Sequence, residues 1–173
     1  MSAAGPVSAG VSLRPATAED AGALAEIYGQ HVLTGAATFE LDPPDAAEMD
    51  RRRREIEAHG MPYWVAEVDG VVAGYAYASR FRPRIGYRFT VEDSVYIRRE
   101  QMGRGLGRLL LGRLIEDCEA RGLRQMVAVI GDSANSASIR LHESFGFRHI
   151  GLLEKVGWKF ERWFDAVLMQ RGL

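Results

Sequence analysis

In the segment Met102-Gly103-Arg104-Gly105-Leu106-Gly107-Arg108, three glycines and two arginines fall within seven residues. Successive backbone N–H groups in such a turn can point into one concavity, and where the turn opens a helix the macrodipole also favours an anion. A pyrophosphate fits that description. Glycine lets a large ligand approach the backbone, and Arg104 and Arg108 add positive charge at either end. The alternative is a glycine-rich connection that starts a helix and holds no ligand. Two nucleotide readings fit less well. A Walker A loop ends in Gly-Lys-Ser/Thr, whereas Gly107 is followed by Arg108 and Leu109. A dinucleotide fingerprint is G-x-G-x-x-G in a βαβ unit, whereas the spacing here is G-x-G-x-G.

The elements around the turn decide whether it can work. A strand over about Thr90 to Ile97 runs into it, and Leu106, Leu109, Leu110, Leu114 and Cys118 follow at three- and four-residue spacing, the apolar face of a helix. Upstream, Val11, Leu13 and Pro15 alternate as a strand, and Thr17 can N-cap a helix with Glu19 and Asp20 in its first turn. Leu24, Ile27 and Tyr28 share one face of that helix. Asp45 starts a second, polar helix, in which the run Arg51 to Arg54 reads as a solvated face flanked by Asp50, Glu55 and Glu57. Asp69-Gly70 between Tyr63–Val68 and Val71–Ala78 predicts a tight hairpin. Downstream, Gln125 to Ile130 reads as a buried strand and Asn135 to Phe145 as a helix closed by Gly146. Two strands complete the chain, about Arg148 to Glu154 and Phe164 to Gln170. The order β-α-α-β-β-β-α-β-α-β-β describes an α/β fold, a mixed sheet with helices on its faces.

The chain has 173 residues, 47% of them hydrophobic, enough for one core but short for two, so one domain is expected over residues 11–173. The small residues Met1 to Gly10 read as a flexible tail without the pattern of a secretory signal. With 22 Lys and Arg against 23 Asp and Glu, no general positive field exists to attract nucleic acid. No apolar stretch is long enough to span a membrane. The single cysteine, Cys118, suits a reducing compartment, with the cytoplasm as the default, and excludes a cysteine-rich metal module.

Several segments in order resemble the acetyl-CoA-binding signature of the GNAT N-acetyltransferases: Tyr96-Ile97, the turn Gly103 to Gly107, Asn135-Ser136-Ala137-Ser138, and Leu141-His142-Glu143-Ser144-Phe145-Gly146-Phe147. Within that superfamily the chain is most similar to the phosphinothricin and methionine sulfoximine/sulfone acetyltransferases. Thr38-Phe39, Phe81-Arg82-Pro83, Thr90 to Tyr96 and Val156 to Asp165 carry this closer likeness. The resemblance implies the GNAT fold, acetyl-CoA as co-substrate, no metal, and a homodimer. It implies a cofactor site over Val95, Tyr96, Ile97, Met102, Gly103, Arg104, Gly105, Leu106, Gly107, Arg108, Asn135 and Ser144. One departure is evident. The superfamily turn is usually R/Q-x-x-G-x-G/A, and Met102 stands where Arg or Gln is expected, with Gln101 one residue early. Since backbone N–H groups do most of the holding, this changes a side-chain contribution more than it abolishes binding.

Acetyl transfer to an amine needs an uncharged nucleophile, a polarised thioester and a proton for the leaving thiolate. The resemblance places Glu92 as the general base, directly or through water; a strand-end carboxylate paired with an arginine is the alternative. It places the backbone around Val95, Tyr96 and Ile97 along the thioester, where an ordinary strand would look the same in sequence. His142 stands where many relatives carry a tyrosine general acid, and a histidine that caps or packs is the alternative. Asn135 is a helix N-cap by its chemistry and a cofactor contact by resemblance. For the acceptor, the resemblance points to Phe39, Phe81, Arg82 and Arg88, and an arginine fork matches a carboxylate in two hydrogen bonds; each is otherwise a surface residue. Trp158, Phe160, Trp163 and Phe164 read as packing or a subunit contact. The implied reaction is acetylation of a small amino-acid-like amine in a ternary complex. Transfer to protein N-termini, lysines, polyamines or aminoglycosides is the second reading, disfavoured for polycations by Arg82, Arg84 and Arg88. A non-catalytic acyl-CoA sensor is the third.

Overall fold

The computed structural model describes residues 10–173. The expected tail therefore lies outside the described residues, apart from Gly10, whose carbonyl accepts the Asp69 N–H at 2.9 Å. Asp69 and Gly70 take φ of 52° and 80°, the left-handed pair that a tight hairpin requires, and join β2 (Tyr63–Val68) to β3 (Val71–Arg80). On one side β2 pairs with β1 (Val11–Pro15), and on the other β3 pairs with β4 (Thr90–Ile97), all antiparallel. β4 then lies parallel to β5 (Gln125–Gly131), which pairs with β7 (Arg162–Gly172), and β7 with β6 (Arg148–Lys159). The result is one mixed seven-stranded sheet in the order β1-β2-β3-β4-β5-β7-β6. Helices α1 (Ala21–Thr34) and α2 (Ala46–Ala58) cover one face; α3 (Leu106–Ala120) and α4 (Ser136–Glu143) cover the other.

Each face has its own core, as the alternating side chains of a half-buried sheet require. Leu110, Leu111 and Leu114 of α3 are wholly buried against Val91, Met126 and Met169. Leu24, Ile27 and Val32 of α1 are buried against Val65 and Tyr75 on the opposite face. A buried leucine or valine contributes about 1.5–3 kcal/mol, so the leucine run of α3 alone anchors the turn before it.

Several element boundaries differ from the sequence reading. The first helix begins at Ala21, after a 3₁₀ turn over Ala18–Asp20, because Asp20 turns back to accept two hydrogen bonds from Arg14 at 2.7 and 2.8 Å and one from the Thr17 N–H at 2.7 Å. In the arginine run, Arg51, Arg52 and Arg54 meet carboxylates near the surface, but Arg53 is 7% exposed, held by Asp50 and Glu57 at 2.6 Å each. α4 stops at Glu143 and Gly146 takes φ of 79°. The last two strands are longer than expected and meet at Phe160-Glu161, with φ of 50° and 56°. That hairpin turn carries neither glycine nor asparagine, so no turn signal marked it.

Candidate active site

β4 and β5 are paired only from Thr90↔Gln125 to Asp93↔Ala128. Beyond that point Ser94 to Ile97 keep β3 as their neighbour, and Val129 to Gly131 keep β7, so the two strands part like a V. On the inner edges of the V, backbone N–H and C=O groups lack a sheet partner. The cleft has a volume of about 400 Å³. Val95, Tyr96 and Ile97 line it from β4, and Met102, Gly103, Gly105, Leu106, Gly107 and Arg108 from the turn. Asn135 and His142 line it from the α4 side.

The turn has the conformation its glycines were expected to permit. Gly103 and Gly105 take φ of 77° and 82°, and α3 starts at Leu106, leaving the first N–H groups of the helix without internal acceptors at the cleft. Gly107 is small for another reason: a Cβ there would meet the Leu141 side chain at 3.3 Å. Arg108 reaches Ser144 Oγ at 3.0 Å and lies over the Phe145 ring.

Side chains of β4 alternate across the sheet. Asp93, Val95 and Ile97 face α3 and α4, whereas Glu92, Ser94 and Tyr96 face α1 and α2. Glu92 is half-buried, and its carboxylate makes no hydrogen bond or ion pair with the described residues. Burial holds its carboxyl above the usual 4.5, the Asp93 charge adds to this, and Arg82 partly offsets it. Beside it, Tyr63 and Tyr77 stack at 4.9 Å between ring centroids, Tyr75 meets Tyr96 at 5.4 Å, and Tyr96 meets Tyr28 at 5.0 Å. The Tyr28 hydroxyl donates to Glu40 at 2.9 Å and meets Thr38 Oγ1 at 2.7 Å; burial, foremost, pushes its pKa up to about 12. Arg52 fixes Glu40 in turn, at 2.6 Å.

The loop carrying Thr38 is clamped from the far end of the sheet. Lys159, at 3% exposure, donates to the carbonyls of Gly35 and Thr38 at 2.7 and 2.9 Å, and burial lowers its pKa. Phe39 rests on Gly157, where any Cβ would lie 2.5 Å from the ring, and beside Phe164. The Ala36 carbonyl occupies the space a side chain at Gly131 would need. His31, also buried, donates from Nε2 to the Ile97 carbonyl at 2.8 Å, and burial lowers its pKa, leaving the ring neutral at the cleft wall. Among the described residues no group of three or more His, Cys, Asp or Glu side chains is placed to hold a metal ion.

A parallel pair that splays over a glycine turn thus gives the sheet a cleft on one face and an unpaired half-buried carboxylate on the other. The sequence pattern of the acetyltransferase (GNAT) family matches residues 30–147. The chain belongs to this family. Among its relatives, a phosphinothricin N-acetyltransferase of Alcaligenes faecalis is 52% identical over 155 residues, 90% of this chain and 79% of that protein. An L-methionine sulfoximine/L-methionine sulfone acetyltransferase of Salmonella typhimurium is 43% identical over 94% of this chain and 95% of that one. The crystal structure of a GNAT phosphinothricin acetyltransferase from Sinorhizobium meliloti, in complex with AcCoA, superposes with a TM-score of 0.91 at 48% identity, covering 95% of this chain and 89% of that one.

Within this GNAT fold, the expected cofactor residues converge on the cleft with two exceptions. Arg104 turns aside to hydrogen-bond Gln101, and Ser144 lies behind Arg108, with its hydroxyl bonded to the Leu141 carbonyl at 2.7 Å. Gln101 lines the cleft together with Met102. The expected acceptor residues lie outside the cleft. Phe81, Arg82 and Arg88 belong to the exposed loop between β3 and β4, where Arg82 covers the Phe81 ring and Arg88 the Phe89 ring. Of these, Arg82 is close enough to influence Glu92. Glu92 has no arginine bonded to it, and His142 is buried with both ring nitrogens engaged. His31, Asp93, Lys159 and the tyrosine cluster were missed. Lone residues in ordinary strands and helices carry no motif, although tyrosines at 75 and 77 share a strand face by simple alternation.

Proposed function

We propose that this chain transfers the acetyl group of acetyl-CoA to the amino group of a small amino-acid-like acceptor of the phosphinothricin, methionine sulfoximine or methionine sulfone type. The observation that carries the reading is the splay of β4 from β5 above the glycine turn, with Glu92 on the other face of β4. The N–H groups of α3's first turn and Arg108 hold a pyrophosphate, and the unpaired edge of Ser94–Ile97 offers hydrogen bonds along an extended pantetheine arm, as a neighbouring strand would. Bound there, acetyl-CoA supplies the activated acyl group.

Glu92 takes the proton from the acceptor nitrogen as it attacks, directly or through one water. Burial raises the basicity of this carboxylate, which suits that task. Arg82 stands beside it to pair with an acceptor carboxylate or phosphinate, with Phe81 and Arg88 on the same loop and Phe39 from the clamped loop as further walls. His142 is the acid that returns a proton to sulfur.

We further propose a homodimer through β6 and β7. β6 is an open sheet edge, and Ile150, Leu152, Val156, Trp158, Phe160 and Trp163 are each about half exposed there, whereas Phe164 is buried. Among the described residues no helix is long and apolar enough to cross a membrane. A buried free Cys118 fits the cytoplasm, where we place the protein.

Thiol release from acetyl-CoA, followed against phosphinothricin, methionine sulfoximine, methionine sulfone, free amino acids, polyamines and a lysine peptide, tests the acceptor assignment. Saturable release with the first three is expected. Release with polyamines or peptide alone would overturn the acceptor class, and binding of acetyl-CoA without turnover would favour a sensor.

A further inference from the structure

At the point where β4 and β5 part, Asp93 and His142 form a buried pair on the α3–α4 face. His142 Nε2 lies 2.9 Å from Asp93 Oδ2, and the residues are 4% and 7% exposed. His142 Nδ1 lies 2.7 Å from the Ser138 carbonyl, one turn earlier in α4. A carbonyl only accepts, so Nδ1 carries a hydrogen; with Asp93 ionised, its carboxylate accepts a second hydrogen from Nε2, and the ring is then an imidazolium. The other Asp93 oxygen, Oδ1, is buried without a hydrogen-bond partner among the described residues, and both side chains line the cleft. A buried ion pair contributes little to stability after its desolvation cost, so stability is a poor reason to keep one here.

We propose that Asp93 is a positioning residue of the transfer reaction: its carboxylate keeps His142 cationic and oriented beneath the splay, making the pair the proton source for the departing thiolate. This rests on the acetyl-transfer reading above. The proton that moves is the one on Nε2, which gives up its bond to Asp93 Oδ2 as the thiolate accepts it, while Nδ1 keeps its proton on the Ser138 carbonyl. The N–H bond breaks, an S–H bond forms, and a neutral imidazole remains with its Nε2 lone pair facing the Asp93 carboxylate. That repulsive arrangement draws a proton back from solvent and resets the pair. The surroundings permit this. Burial disfavours the charged ring, but the Asp93 bond and charge outweigh it and hold His142 above its usual 6.5. From α3 the nearby titratable group is Cys118, whose thiol burial pushes up to about 12, so it stays neutral. Glu92 points to the other side of β4, and the Phe147 ring, just before β6, meets His142 edge-on at 4.9 Å.

The test is D93N, which keeps the size and an acceptor oxygen but removes the charge; D93S serves if D93N does not fold. In the protein without ligand, nitrogen NMR of the His142 ring should show titration at lower pH in the variant than in the wild type. In turnover, the alkaline limb of kcat should move down with it, by about one pH unit, so that kcat near pH 8 falls about tenfold. Near pH 6 it should stay within about twofold, with KM for acetyl-CoA unchanged. An unmoved ring titration, or a loss of kcat uniform across pH, would overturn the proposal. A wild-type protein that acetylates no acceptor would overturn the underlying reading instead, and the thiolate step with it.

Discussion

Glu92 is the proposed base of the transfer. Replacing it with Gln keeps shape and removes the base, so kcat should fall by about a hundredfold or more while acetyl-CoA binding stays nearly intact. The wild-type enzyme should lose activity as pH falls through the raised pKa of Glu92, because protonation there removes the acceptor of the amine proton; that acid limb should therefore lie above 4.5 and vanish in E92Q. A variant with full activity across about pH 6 to 9 would show the base lies elsewhere. Gly105 offers a second test on the opposite face. At φ of 82° any side chain is strained by about 1–2 kcal/mol, so Gly105→Ala should raise KM for acetyl-CoA several-fold and leave acceptor KM almost unchanged in steady-state kinetics.

Among the elements, the β6–β7 hairpin does more than close the sheet, since its Lys159 ties down the loop that carries Phe39. Lys159→Met leaves two partly buried carbonyls without the Lys159 donor, which should lower stability by about 1–3 kcal/mol and the melting temperature by several degrees. Acceptor KM should rise more than acetyl-CoA KM; equal changes in both would mean that the clamp does not shape the acceptor side. This element also marks the limit of what the sequence discloses. Asp69-Gly70, the Gly103–Gly107 turn and the leucine stripe of α3 were legible because each depends on local backbone freedom or helical period. The Phe160-Glu161 turn was not, because two ordinary residues are held at positive φ by the pairing of long strands. The burial of Arg53 and the 3₁₀ start at Ala18 escaped for a similar reason: Asp50 with Glu57, and Arg14, impose them through side-chain bonds. In the site, the glycine turn was legible from its motif and the strand that carries Glu92 from its pattern, whereas the contacts of Lys159 and His31 and the Asp93–His142 pair exist only once distant strands and helices meet.

For the whole molecule, the proposed reaction divides the sheet, with acetyl-CoA assigned to the cleft between β4 and β5 and the acceptor to the face of Glu92 and the tyrosine cluster under α1 and α2. The open β6 edge belongs to this scale too. Trp158→Asp combined with Trp163→Asp should convert a dimer to a monomer in size-exclusion chromatography with light scattering, since charges there are incompatible with an apolar interface. A wild-type monomer at micromolar concentration would remove the proposed interface. The most direct test of acetyl transfer to an amino-acid-like amine is the product itself. Incubated with acetyl-CoA and phosphinothricin, the wild-type protein should yield N-acetylphosphinothricin by mass spectrometry, in one-to-one proportion to released thiol. Thiol release without an acetylated amine, or acetylation found only on a polyamine or peptide in parallel reactions, would contradict it.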